Sequence, residues 1–289
     1  MNLSFLDIPE KSFTESFVRI LPCGYQSTVS YMSGTAEAPY SILKASQQVE
    51  YFSSYLEKDS SKMGFIICDP PVLDLSSVKN MMKNIYKQAL KYIQTNKILC
   101  TLGGEHSISY PVVKAHQDKL KIKFDVIVID AHLDLRDSYQ GTEYSHASVS
   151  RRISENHKLC IIGARSYCKE EYQYVKKNKN RVFHLKPEKW DETALLDVLK
   201  KLNDNIYLSI DCDGFDPSVF PSTGTPVPGG LFYYQGLEII KIIINKKNVI
   251  GLDFVELIPD RFYRGSDFTA AQLLYEIFSM IYLKTLLKI

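Results

Sequence analysis

The stretch Val126-Ile127-Val128-Ile129-Asp130-Ala131-His132-Leu133-Asp134 decides the fold. An unbroken run of Val and Ile ends at a carboxylate. A run with no polar face reads as a strand buried on both sides, as in a parallel sheet covered by helices. Just beyond it stand an Asp, a His and an Asp at positions 130, 132 and 134. Alternate residues of an extended chain point the same way, so these three side chains can converge on one point.

The same grammar extends in both directions. Residues 17–21, 64–68, 98–102, 126–129, 159–162, 182–185, 206–210 and 249–255 all read as strands rich in Ile and Val. Amphipathic stretches lie between them, at 77–94, 110–119, 169–177, 192–202, 234–244 and 270–287. This alternation predicts an α/β fold with three layers, helices on both faces of a central, mainly parallel eight-stranded sheet. The sequence contains neither an internal repeat nor a Pro/Ser-rich linker, so residues 1–289 are expected to form one domain. Two long loops follow predicted strands, at 134–144 and 213–230, on the edge where open α/β sheets bind ligands.

Two further strands end in potential ligands. Gly103-Gly104-Glu105-His106 follows 98–102, and Asp211-Cys212-Asp213-Gly214-Phe215-Asp216-Pro217 follows 206–210. Each cluster alone has a plain structural reading: strand-end Asp residues build turns, His106 is a loop histidine, and the glycine pair supplies a turn. Three clusters at the same end of predicted parallel strands change the balance. So many carboxylates at one edge repel each other strongly unless a cation joins them. Oxygen-rich donors with a few imidazoles favour Mn²⁺ over structural zinc. The six candidates (His106, Asp130, His132, Asp134, Asp211 and Asp213) exceed the needs of one catalytic ion, and two ions about 4 Å apart fit better.

Composition excludes several classes. Hydrophobic residues make up 45% and charged residues 24%, the profile of a globular protein. A net charge of +2 gives no footprint for nucleic acid. No apolar run approaches the roughly 18 residues of a membrane span, and the N-terminal MNLSFLDIPEKSF does not read as a signal peptide. Six cysteines without a C-x-x-C are expected to be buried, reduced thiols, so the expected location is the cytoplasm.

Gly103-Gly104-Glu105-His106-Ser107, Asp130-Ala131-His132-Leu133-Asp134 and the segment 209–217 together resemble the three signatures of the ureohydrolase family of arginases and agmatinases. The resemblance continues through 221–226 with Gly229-Gly230, through 253–257 with Pro259, and through Ser30-Tyr31 with Gly34-Thr35. Glu105 departs from it, standing where many members have Asp, and Ala147 follows His146 where Gly is common. The resemblance implies a hydrolase of guanidino compounds that releases urea with two Mn²⁺ ions per chain. His106 and Asp134 would bind the first ion, His132 and Asp213 the second, and Asp130 and Asp211 both. Asp134 would hold the attacking water, His146 would shuttle a proton, and Glu256 would pair with the guanidinium. It also implies a homo-oligomer, trimer or hexamer.

The segment 135–146 resembles the agmatinase version more than the arginase one, as does Gly163-Ala164-Arg165-Ser166 with Glu170-Glu171. A pocket mouth with Asp137 or Glu143 suits an ammonium. Arg136 is read as bridged to Asp137 or a neighbour. The expected reaction is agmatine to putrescine and urea, a step of polyamine biosynthesis, with arginine or guanidinobutyrate as alternative substrates. A single-zinc amidohydrolase is disfavoured by the lack of a His-His pair. A catalytically inactive metal-binding regulatory protein is disfavoured because every ligand position is filled. His116, His157 and His184 are read as structural or exposed, and the tyrosines of 167–174 as packing.

Overall fold

Along the described residues, 4–287 of a computed structural model, strands and helices alternate as the apolar runs predict. Residues 1–3, the start of the segment read as lacking a signal peptide, lie outside that range, as do the last two residues of the expected 1–289 domain. The strands are β1 (Val18–Cys23), β2 (Phe52–Ser53), β3 (Lys58–Asp59), β4 (Phe65–Ile67), β5 (Ile98–Gly103), β6 (Asp125–Ile129), β7 (Leu159–Ile162), β8 (Val182–Leu185), β9 (Asn205–Asp211) and β10 (Asn248–Val255). The α-helices are α1 (Ala38–Ser46), α2 (Val78–Tyr92), α3 (Ser109–Leu120), α4 (Val149–Ser154), α5 (Lys169–Lys177), α6 (Glu192–Leu199), α7 (Tyr233–Lys246) and α8 (Gly265–Leu286).

Eight strands form one sheet in the order β4-β1-β5-β10-β9-β6-β7-β8. Every pairing in it is parallel. Strand β6 shows why its sequence is apolar on both faces. Ile127 and Ile129 enter one core with α7 and α8, while Val126 and Val128 enter the other with α2 and α3. Strand β9 divides the same way, with Ile206, Leu208 and Ile210 on one side and Tyr207 on the other. The sheet therefore separates two cores, which is the three-layer arrangement.

The register lines up the C-terminal strand ends. Ile129 of β6 pairs with Ile210 of β9, so Asp130 and Asp211 stand side by side. Asp211 pairs with Val255 of β10, so Glu256 is one residue beyond. Differences from the sequence reading are local. Ser77 is the N-cap of α2 rather than its first residue, accepting a hydrogen bond from the Asn80 N–H. Gly64 precedes its strand with a φ of 73°, a value few other residues adopt. Helix α1 has no counterpart in the sequence reading, and α4 and the β2–β3 hairpin are too short for a periodicity argument.

Candidate metal centre and active site

His106 opens a short 3₁₀ turn after β5 and is buried. Its Nδ1 lies 3.1 Å from Asp130 Oδ2, 3.3 Å from Asp134 Oδ2 and 3.3 Å from Asp211 Oδ2. His132 Nδ1 lies 3.1 Å from Asp213 Oδ2 and 3.5 Å from Asp130 Oδ1. Two donor sets result, His106-Asp130-Asp211 and Asp130-His132-Asp213, and they share Asp130. Strands β5, β6 and β9 thus bring together all six residues singled out in the sequence.

These groups fit cations. His106 Nδ1 and Asp130 Oδ2 are fully buried and have no hydrogen-bond partner, and a buried polar atom in that state calls for one. Burial, and then the charge of Asp130, pushes the Asp134 carboxyl up to about 7. Burial and the charges of Asp213 and Asp130 hold Asp211 well above its usual range. Burial opposes a charge on His132, yet Asp213 and Asp130 raise it to about 12. In the metal-free chain the cluster thus holds protons where it lacks positive charge, and divalent ions would replace them. The donors are carboxylates and imidazoles, a set suited to Mn²⁺.

The far nitrogen of His106 is also held. Nε2 meets Ser209 Oγ at 2.9 Å, and that hydroxyl donates to Asp253 Oδ1 at 2.6 Å. Tyr207 donates to the other oxygen of Asp253 at 2.8 Å. Ser209, Tyr207 and Asp253 are buried strand residues that the sequence reading did not single out. Their signal was available: polar side chains at alternate positions inside otherwise apolar strands.

Asp134 and Glu256 both have left-handed backbones, with φ of 52° and 64°. Non-glycine residues in that region carry strain, which is retained where the surroundings dictate it. The Glu256 N–H donates to Gly104 O, and Thr223 Oγ1 donates to Glu256 O. The Glu256 carboxylate accepts from the His106 N–H at 2.6 Å. Burial and the neighbouring Glu105 charge push its pKa up to about 8.

A cavity of about 350 Å³ opens over these groups. Beside His132, Asp134, Asp211, Asp213, His146 and Glu256, its walls include Tyr31, Arg136, Tyr139 and Tyr167. Tyr167 is therefore a wall of the site as well as packing. His116, His157 and His184 are structural, each bonded through its ring to a backbone carbonyl.

The pocket mouth differs from the expectation. Asp137 pairs with Arg152 at 2.8 Å and Glu143 pairs with the same guanidinium at 3.2 Å. Neither is among the described residues lining the cavity. Arg152 is largely buried and collects both carboxylates, and among the described residues Arg136 forms neither the salt bridge to Asp137 nor the one to a neighbour expected for it. The Arg136 guanidinium instead lies over the Tyr139 ring, 5.2 Å from its centroid.

Arg165 holds the 213–230 loop. Its guanidinium donates to the carbonyls of Asp213, Phe215, Val227, Pro228, Gly163 and Gly214. Gly214 is required beside it, since a Cβ there would stand 2.7 Å from Asp130 N.

The model of the Arginase family matches residues 17–279. The chain belongs to the arginase family. It is a hydrolase of amidino carbon–nitrogen bonds. Among family relatives, the N(1)-aminopropylagmatine ureohydrolase of Thermus thermophilus is 34% identical over 91% of this chain and 89% of its own. The agmatinase of Pyrococcus horikoshii is 32% identical over 95% of both chains. The arginase-family fold is shared with the crystal structure of the agmatine ureohydrolase of Thermoplasma volcanium, at a TM-score of 0.85 and 25% identity, covering 100% of this chain and 97% of that one. Among the described residues no helix is long and apolar enough to cross a membrane.

Proposed function

We propose that this chain, acting as one domain over residues 1–289, is a binuclear manganese ureohydrolase that converts agmatine to putrescine and urea. The observation that carries this reading is the pair of donor sets sharing Asp130 at the floor of the cavity. His106 and Asp134 would hold one ion, His132 and Asp213 the other, with Asp130 and Asp211 common to both. Bound there, two divalent ions supply the charge that lowers the pKa of a water molecule to near neutrality.

The chain's own residues do the rest. Glu256 faces the cavity, and an arriving guanidinium would draw its raised carboxyl back to the ionised form. A planar carboxylate–guanidinium pair orients the carbon toward the attacking water. Asp134 accepts a hydrogen bond from that water and takes its proton. As the new C–O bond forms and the C–N bond breaks, the electron pair goes to the amine nitrogen. The proton taken by Asp134 is passed on to that nitrogen, with His146, lining the same cavity, as the shuttle.

The names of the relatives and the aromatic walls support a cationic tail on the substrate. Tyr31 and Tyr167 line the same cavity, and aromatic rings attract an ammonium. The Thermus relative's name favours a second reading, N(1)-aminopropylagmatine, whose longer tail carries an additional cation. Urea release with manganese-loaded protein, compared across agmatine, N(1)-aminopropylagmatine, arginine and guanidinobutyrate, tests both. Agmatine or its aminopropyl derivative is expected to give the highest kcat/KM. A preference for guanidinobutyrate would instead mean that Arg136 reads a carboxylate at the mouth.

A further inference from the structure

We infer that Thr28, anchored by Glu105, is a positioning residue that fixes the tautomer of His146 and so makes Nε2 the ring atom that takes up a proton and passes it on. The inference rests on the proposed role of His146 and deepens it.

Glu105 is fully buried. Its Oε2 accepts from the backbone N–H groups of Ser27 and Thr28, at 2.5 and 2.6 Å. Its Oε1 accepts from Thr28 Oγ1 at 2.8 Å and from Ser107 Oγ at 2.6 Å. Thr28 Oγ1 is the donor in that contact, so its single hydroxyl proton points to Glu105. Two lone pairs remain on Oγ1. One receives the His146 backbone N–H at 3.1 Å. The other faces His146 Nδ1, also at 3.1 Å. A hydroxyl whose proton is committed can only accept there, so Nδ1 carries the ring hydrogen.

The neutral ring then keeps its free lone pair on Nε2. That atom faces Ser30 Oγ at 3.0 Å, in the cavity wall. Tyr139 meets the ring edge-on, with centroids 5.5 Å apart, which limits its rotation. Glu105 thereby gains a purpose for its extra methylene: it spans from the metal-ligand turn to the 27–28 loop.

The test is a double-mutant cycle with the best guanidino substrate of the panel. Thr28→Val keeps the shape and removes the hydroxyl; Thr28→Ala is a second route should valine not fold. The expected result is a fall in kcat of about 10-fold or more, with KM and bound metal near wild type, since a disoriented acid–base group loses part of its roughly 10²–10⁴-fold contribution. Thr28→Ser should restore kcat. In a His146→Ala background, Thr28→Val should have no further effect on kcat, because coupled residues are not additive. Equal losses in both backgrounds, or no rescue by serine, would overturn the inference and leave Thr28 a structural residue. A His146→Ala variant with undiminished kcat would instead overturn the shuttle role itself, as would absence of urea release from every guanidino compound.

Discussion

His106 and Asp253 are joined through one hydroxyl, that of Ser209, which bonds His106 Nε2 at 2.9 Å and Asp253 Oδ1 at 2.6 Å. Along this chain of bonds the Ser209 hydroxyl proton goes to Asp253, so its oxygen accepts from His106 Nε2–H, and Nδ1 is left to face Asp130, Asp134 and Asp211. Partners of this kind typically contribute 10–100-fold to metal affinity. Ser209→Ala should therefore weaken manganese binding by about that factor with the fold intact. Titration of metal-stripped protein checks it, and unchanged affinity would remove the chain from the account of the site.

His146 is a wall of the cavity but belongs to neither donor set. Its replacement by alanine should lower kcat by about 10²–10⁴-fold. Metal content should stay at the wild-type value, measured by elemental analysis. Loss of metal in this variant would mean that His146 is a ligand.

Asp134, proposed to take the water's proton, has a left-handed backbone at φ 52°. Asparagine tolerates that region best after glycine, whereas a β-branched residue does not. With metal chelated, Asp134→Asn should unfold near the wild-type denaturant midpoint, while Asp134→Val should lose roughly 1–3 kcal/mol. Both should be inactive when manganese is restored. Equal stability of the two variants would show that the backbone carries no strain there.

Acid sensitivity follows from His116. The ring is buried, packed edge-on to Tyr207 with centroids 5.0 Å apart, and burial lowers its pKa from 6.5 to about 4. The folded chain therefore keeps it neutral while the unfolded chain takes up a proton below pH 6.5. Its contribution is fully present above that pH and is lost as pH falls toward 4, at about 1.4 kcal/mol per pH unit. Urea midpoints at pH 7, 6 and 5 should show a shallower acid slope for His116→Leu. Parallel slopes for variant and wild type would contradict it.

Arg165→Lys probes the 213–230 loop. A lysine offers a point charge in place of a planar fork and cannot reach six carbonyls at once. The substitution should cost at least about 2 kcal/mol, because bonds from a charged donor are among the stronger ones. It should also reduce metal affinity, since Asp213 sits at the loop's start. Thermal melts with and without manganese separate the two effects.

The sheet was legible because strands buried on both faces announce themselves. Ile127 and Val128 look alike in sequence and serve opposite cores. The clustering of the six candidate ligands was legible because parallel strands place their ends on one edge. Two things were not. The pairing of Asp137 and Glu143 with Arg152 depends on where α4 lies, and its six residues give too short a period to read. Thr28 is brought to His146 across 118 positions by Glu105, and no local pattern encodes such a contact.

Strand β10 is the last to be synthesised and yet lies between β5 and β9. Until β10 is in place, no strand pairing joins β4-β1-β5 to β9-β6-β7-β8, and each half-sheet would have an open inner edge. Unpaired edges of this kind recruit other strands, including those of neighbouring nascent chains. A translation product stopped before Asn248 carries every proposed metal ligand but lacks the strand that spaces His106 from Asp211. In such a fragment no strand pairing would fix the distance between His106 and Asp211, so a cation held by both would depend on closure of the sheet.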